Sequence, residues 1–162
     1  MTLAAARAVA DAVLYEGYLL YPYRASAAKN QSRWQFGVLG PPRAAPAAFA
    51  EPPAMTMQCL LIPTAGPGTV TVHLRFLQLQ AREAQRRQPD GRHVPVAELP
   101  DAGDPVLSWD EAIEQEITLP PAPLTGAVEF PVRVAGGTDE ESLGAVGRIV
   151  RRRWPLTARV HL

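Results

Sequence analysis

The hydrophobic positions of this chain repeat with a helical period in one place only, near its start. Leu3, Ala6, Val9 or Ala10, Val13 and Leu14 recur at the spacing of a single helix face. That spacing predicts a short helix from Leu3 to about Tyr15, with Thr2 as N-cap and Gly17 as terminator. A helix this short is marginal in water, so its apolar face has to pack on a sheet. After it, Leu19 to Tyr23 reads as extended, because Pro22 pushes Tyr21 out of the α region. Residues 40–54 carry Pro41, Pro42, Pro46, Pro52 and Pro53 among alanines, which predicts a surface loop in partly polyproline form.

From there the pattern is β. Met55 to Ile62 predicts a strand and Pro63 to Gly68 its turn. Between Thr69 and about Glu83, Val70, Val72, Leu74 and Phe76 alternate on one face. The apolar set then changes phase to Leu77, Leu79 and Ala81, which predicts a bulge within the strand. Asp90-Gly91 supplies a turn at the end of a polar tip. Trp109 to Leu119 fits a short helix or a strand; neighbouring strands and the terminating Pro120-Pro121 favour strand. Val128 to Val134, interrupted by Pro131, predicts an edge strand, and Gly136 to Asp139 a turn. Val146 to Trp154 and Leu156 to Leu162 are the last strand or pair of strands, broken at Pro155. The expected fold is therefore mainly β, an antiparallel sandwich-like sheet with one short N-terminal helix. It forms a single domain over 1–162, with helix and aromatic segment in 1–39, loop in 40–54 and sheet in 55–162.

Length and composition change this picture little. The chain has 162 residues, 47% hydrophobic and 20% charged, within the range of ordinary globular domains. Sixteen cations balance sixteen acids, which argues against a general binder of nucleic acid or anionic membranes. No 18-residue apolar stretch exists to form a transmembrane helix, and no apolar signal-peptide core opens the chain, so a cytoplasmic location is expected.

Chemistry-bearing residues are sparse. The lone Cys59 reads as a buried, inert thiol in an apolar strand. His73, His93 and His161 lack zinc-ligand spacing, and no metal or cofactor is expected. On a strand, Asp110, Glu114 and Glu116 point to one face, opposite Trp109, Glu111 and Ile113, and the acidic run reads as solvated surface; Arg151-Arg152-Arg153 reads as a charged edge that discourages aggregation. Ser26, Ser32, Ser108 and Ser142 lack a nucleophile-elbow setting, so no catalytic residue is assigned.

One segment stands apart. All four tyrosines and the only lysine lie within twenty residues of each other, with Trp34 beside them. Aromatic rings with polar tips, interleaved with cations, suit a rigid recognition surface as well as they suit anchoring a helix to a sheet. The candidate partner-binding residues are Tyr15, Tyr18, Tyr21, Tyr23, Arg24, Lys29, Asn30, Arg33 and Trp34.

The run from Leu14 to Leu39, LYEGYLLYPYRASAAKNQSRWQFGVL, resembles the opening of an uncharacterised bacterial protein family encoded beside [NiFe] hydrogenase genes, notably in actinobacteria. Trp109-Asp110-Glu111-Ala112 and Arg152-Arg153-Trp154-Pro155-Leu156 are similar to further segments of that family. The resemblance implies a non-enzymatic accessory protein that binds a hydrogenase subunit or maturation factor. It also implies that this chain is the N-terminal part of a longer protein. An enzyme acting on a small anionic substrate through the Tyr/Lys/Arg cluster, or a purely structural domain, are the alternatives. At the C-terminus, Leu156, Ala158, Val160 and Leu162 alternate with polar residues, so this strand is either paired inside a sheet or leaves an open edge that self-associates.

Overall fold

The computed structural model describes residues 3–15, 38–44, 51–62, 66, 68–100 and 104–162. The chain divides into two compact units, Met1–Thr64 and Ala65–Leu162. In the first, α1 (Leu3–Tyr15) spans the residues the periodicity predicts. Its half-buried residues are Ala6, Asp11, Leu14 and Tyr15, whereas Leu3, Val9 and Val13 face solvent. The proposed caps, Thr2 and Gly17, and the extended run 19–23 lie outside the described residues. Pro42–Ala44 makes one 3-10 turn, and the Gly40 N–H donates to Pro52 O (3.0 Å).

Met55–Ile62 is not a strand. These residues have no ladder partner among the described residues, and Met57, Leu60 and Ile62 are almost fully exposed. A β segment satisfies its backbone only through a neighbour, so an apolar run alone does not make one. Cys59, expected inside that strand, is exposed for the same reason.

The second unit is mainly β, antiparallel throughout and sandwich-like, with its strands divided among one five-stranded and three two-stranded sheets. Its elements are β1 (Thr69–Val70), β2 (His73–Arg87), β3 (His93–Val96), β4 (Glu98–Leu99), β5 (Val106–Leu107), β6 (Trp109–Thr118), β7 (Ala122–Pro123), β8 (Glu129–Val134), β9 (Gly137–Ser142), β10 (Gly147–Arg153) and β11 (Leu156–His161). β2 is the spine. One edge pairs with β6 along His73–Arg82 and then with β3 along Ala84–Arg87; the other edge pairs with β10, which also holds β9.

Between β6 and β3 the spine changes partners, which would strand backbone groups. Ser108 closes that gap: its Oγ accepts from the Ala84 N–H (2.8 Å) and donates to Val96 O (2.7 Å). The β2–β3 turn carries Gly91 at φ 84°, with Gln88 N–H donating to Arg92 O (2.7 Å), as Asp90-Gly91 predicts.

The β2–β6 ladder runs without a slip from His73↔Thr118 to Arg82↔Trp109, so the predicted bulge within β2 is absent. The extra residue sits on the opposite strand. Val70 faces Ala122 while the Leu119 N–H donates to Val72 O (2.9 Å), leaving Thr71 opposite both Pro120 and Pro121. Prolines, having no N–H to lose from the ladder, fit such a bulge. The phase change along β2 reflects burial instead. Gln78 and Gln80 are buried and Leu79 is 55% exposed, the reverse of the hydropathy reading.

β8 to β11 form one ribbon. β9–β10 and β8–β11 share a single pairing offset, from Ser142↔Arg148 to Glu129↔His161, interrupted at 135–136 and 154–155. At this corner a Cβ on Gly136 would lie 2.7 Å from Arg153 O and 2.8 Å from Pro155 Cδ, so only glycine fits. Gly137–Asp139 belongs to β9 rather than to a turn. The half of the ribbon beyond the corner, β8–β11, pairs with no other strand among the described residues. The apolar core of the unit is small: Ala84, Leu99, Leu119, Ala122, Val132, Ile149 and Val150.

Candidate functional site

Cross-strand partners share a sheet face. The register therefore puts Gln78, Gln80 and Arg82 of β2, Glu111 and Gln115 of β6, Arg151 and Arg153 of β10, and Asp139 and Glu141 of β9 on one side. Together they make a polar lane across four strands where a sandwich normally places apolar residues.

Glu111 is its centre. Its carboxylate accepts from Gln80 Nε2 (2.7 Å), Arg151 Nε (3.2 Å) and Arg82 Nη1 (3.4 Å), and its side chain is only 16% exposed. Arg151 also reaches Glu141 (2.7 Å). The Glu141 hydrogen bond, and secondarily the nearby Glu111 charge, raise its pKa against the opposing effect of burial. Arg153 donates to Gln80 Oε1 (2.6 Å) and pairs with Asp139 (2.6 Å). Gly137 leaves it room, since a Cβ there would lie 3.0 Å from Arg153 Nη2.

The salt bridges from β10 to β9 run diagonally. Arg151 stands opposite Asp139 yet bonds Glu141, and Arg153 stands opposite Gly137 yet bonds Asp139. Such diagonals lie within reach of long side chains and tie the two strands in one register. At the inner end, the Gln78 amide donates to Trp154 O (2.9 Å) and Ala135 O (3.4 Å) and accepts from Gln115 (2.9 Å). Gln78 thereby fixes both strands of the ribbon corner to the spine. Arg82 is the loose member: its Nε is buried without a partner.

Arg151-Arg152-Arg153 is therefore no edge, because β10 lies between β2 and β9. The acidic run of β6 splits between faces. Glu114 and Glu116 pair with Arg75 on the outer side, whereas Glu111 points into the lane. Alternation in a strand places Glu111 opposite Asp110 and Glu114, but charge alone gives no sign that its side is covered. Ser108 has the backbone-bridging role described above, and His73 shares a hydrogen bond with Thr118 Oγ1 (3.0 Å).

Of the nine candidate partner-binding residues singled out in the sequence, Tyr15 ends α1, half-buried. Tyr18, Tyr21, Tyr23, Arg24, Lys29, Asn30, Arg33 and Trp34 lie outside the described residues. Among the described residues, no three His, Cys, Asp or Glu side chains gather to hold a metal ion, and no helix is long and apolar enough to cross a membrane. The chain matches no protein-family model, and neither a curated protein nor a solved structure was found to be similar to it.

Proposed function

We propose that this chain is a non-enzymatic accessory protein that works by holding a protein partner. The β8–β11 arm carries this reading. A two-stranded ribbon is marginal by itself in water, yet this one leaves Trp154, Leu156 and Leu162 between 39% and 50% exposed. The described carboxylates and guanidinia of the lane bond one another, an arrangement that stiffens a sheet rather than offering free groups to a substrate. Following the resemblance of residues 14–39, the partner is a subunit or maturation factor of a [NiFe] hydrogenase, met through the Tyr15–Trp34 segment, in the cytoplasm.

Affinity purification of the tagged chain from its native host tests this, together with hydrogenase activity after deletion of the gene. Retention of a hydrogenase component and loss of activity are expected. A bait that retains none, with activity intact, would sink the proposal. Tyr23→Ala and Arg24→Ala should weaken retention at least tenfold without lowering thermal stability; lower stability with unchanged retention would make the segment a structural anchor only.

A further inference from the structure

The two outer edges of the β8–β11 arm differ, and the difference specifies what can add to it. Val128 and Leu162 exchange both backbone hydrogen bonds (3.0 and 2.9 Å). Antiparallel pairs alternate, so Phe130↔Val160, Val132↔Ala158 and Val134↔Leu156 are bonded pairs as well. The intervening residues turn their N–H and C=O groups outward. On β8 these are Glu129, Pro131 and Arg133; on β11 they are Thr157, Arg159 and His161.

Pro131 thus removes the central donor from the outer edge of β8 and puts its ring there instead. The outer edge of β11 keeps every donor and acceptor, and among the described residues β11 pairs with β8 alone. One edge is blocked and the other is open.

We propose that the occupant of the open edge is β11 of a second copy, paired antiparallel about a two-fold axis at Ala158. Registers centred on Ala158, Arg159 and Val160 all place outward groups against outward groups; the Val160 register pairs Arg159 with the partner copy's His161 and leaves Leu156 outside the ladder. Centring on Arg159 would set Arg159 directly against its own copy, a like-charge pair that destabilises a ladder. Centring on Ala158 sets Thr157 against the partner copy's Arg159, and Leu156 against its Val160. Leu156, Ala158 and Val160 then join their counterparts in one apolar stripe, and Leu156, 40% exposed in the single chain, gains cover.

The product is a four-stranded sheet with β8 at both margins. Because each margin of that sheet carries Pro131, a third copy finds no complete edge on it, so the β8–β11 sheet itself stops at four strands. The second copy occupies the same arm whose exposure carries the proposed function, and the oligomeric state of the chain alone tests it separately from retention of a hydrogenase component.

Sedimentation equilibrium of the full chain at ~10–100 μM, the range in which strand-edge association of this size is read, should show a monomer–dimer equilibrium with no larger species. Arg159→Pro deletes an outward N–H that β8 does not use, so the far-ultraviolet circular dichroism should stay unchanged while dimer dissociation rises at least tenfold. In a Cys59→Ser background, Ala158→Cys should oxidise to a disulfide-linked dimer, because it meets its own copy at a closely spaced non-bonded pair. Val160→Cys, displaced from the axis, should not. Pro131→Val should convert the dimer to higher oligomers. A stable monomer at 100 μM, roughly the top of that range, overturns the proposal, as does a dimer that survives Arg159→Pro or cross-links through Val160→Cys.

Discussion

The ribbon from Val128 to Leu162 is one hairpin by pairing and two regions by environment. On the near side of the corner, β9–β10 is tied to the spine by the β2–β10 ladder and by Glu111, Arg151, Arg153 and Gln78. On the far side, β8–β11 has the same offset, but its Arg159–Glu129 ion pair and the His161–Glu129 contact (both 3.4 Å) lie in solvent. The backbone ladder is common to both, so the difference lies in what the side chains meet. A carboxylate with three donors and little water organises a sheet; a carboxylate at the surface mostly exchanges protein for solvent.

The most damaging way to break the tied half is at its root. A Cβ on Gly147 would lie 2.0 Å from Gln85 O, so Gly147→Ala has to separate β10 from β2. A loss of about 3 kcal/mol or more is expected in chemical denaturation, the upper end of the cost of overpacking. Gly144→Ala in the neighbouring turn meets no atom and should cost about 1 kcal/mol, from its φ of 64° alone.

Hydrogen exchange reads the contrast directly. Amides of β10 that face β2 should exchange on the order of 100-fold more slowly than amides of β11 that face β8, measured on the monomer. Equal rates would show that the arm and the sheet open as one unit.

Side-chain substitution sharpens the same comparison. Glu111→Ala leaves Arg82 and Arg151 facing each other in a half-buried lane and should cost about 2 kcal/mol, less than a fully buried pair because the arginines keep some water. Glu129→Ala in the arm should cost under ~0.5 kcal/mol by the same assay.

The smallest effect is at the far tip of the spine. The Arg92 backbone N–H, and then its side chain, lower the pKa of the Asp90 carboxyl. A depressed folded pKa means that its contribution is present above the ordinary value of 3.8 and is lost as pH falls through the lowered one. A carboxyl titration followed by NMR should show a midpoint below that value. Arg92→Ala should leave part of the shift in place, because the backbone donor remains.

The sequence was most legible where a residue type has a backbone meaning. Asp90-Gly91, Pro131 and Pro155 marked a turn, an edge and a corner, and helical spacing marked α1. It was least legible where hydropathy had to stand for burial. Met55–Ile62 is an apolar run, yet among the described residues no strand pairs with it. Leu79 reads as core and Gln78 as surface, but the reverse holds because Gln78 alone can satisfy two carbonyls at the ribbon corner. The lane around Glu111 needs the register of four strands to assemble, and no local pattern carries that information.

The shared offset on both sides of the corner has a consequence for how this chain can be edited. Its two strands count residues together from Glu129 to His161, through Gly136 and Pro155. A single insertion in β9 would shift every partner on one side of the corner relative to the other, exchanging inward and outward backbone groups along the arm. Pro131 would then have to fill a position that requires a donor. Within the ribbon, length changes are therefore best placed at the Leu143–Val146 turn or as matched pairs across it, whereas an unmatched residue within β9 or β10 would shift the register of the arm unless a bulge absorbs it.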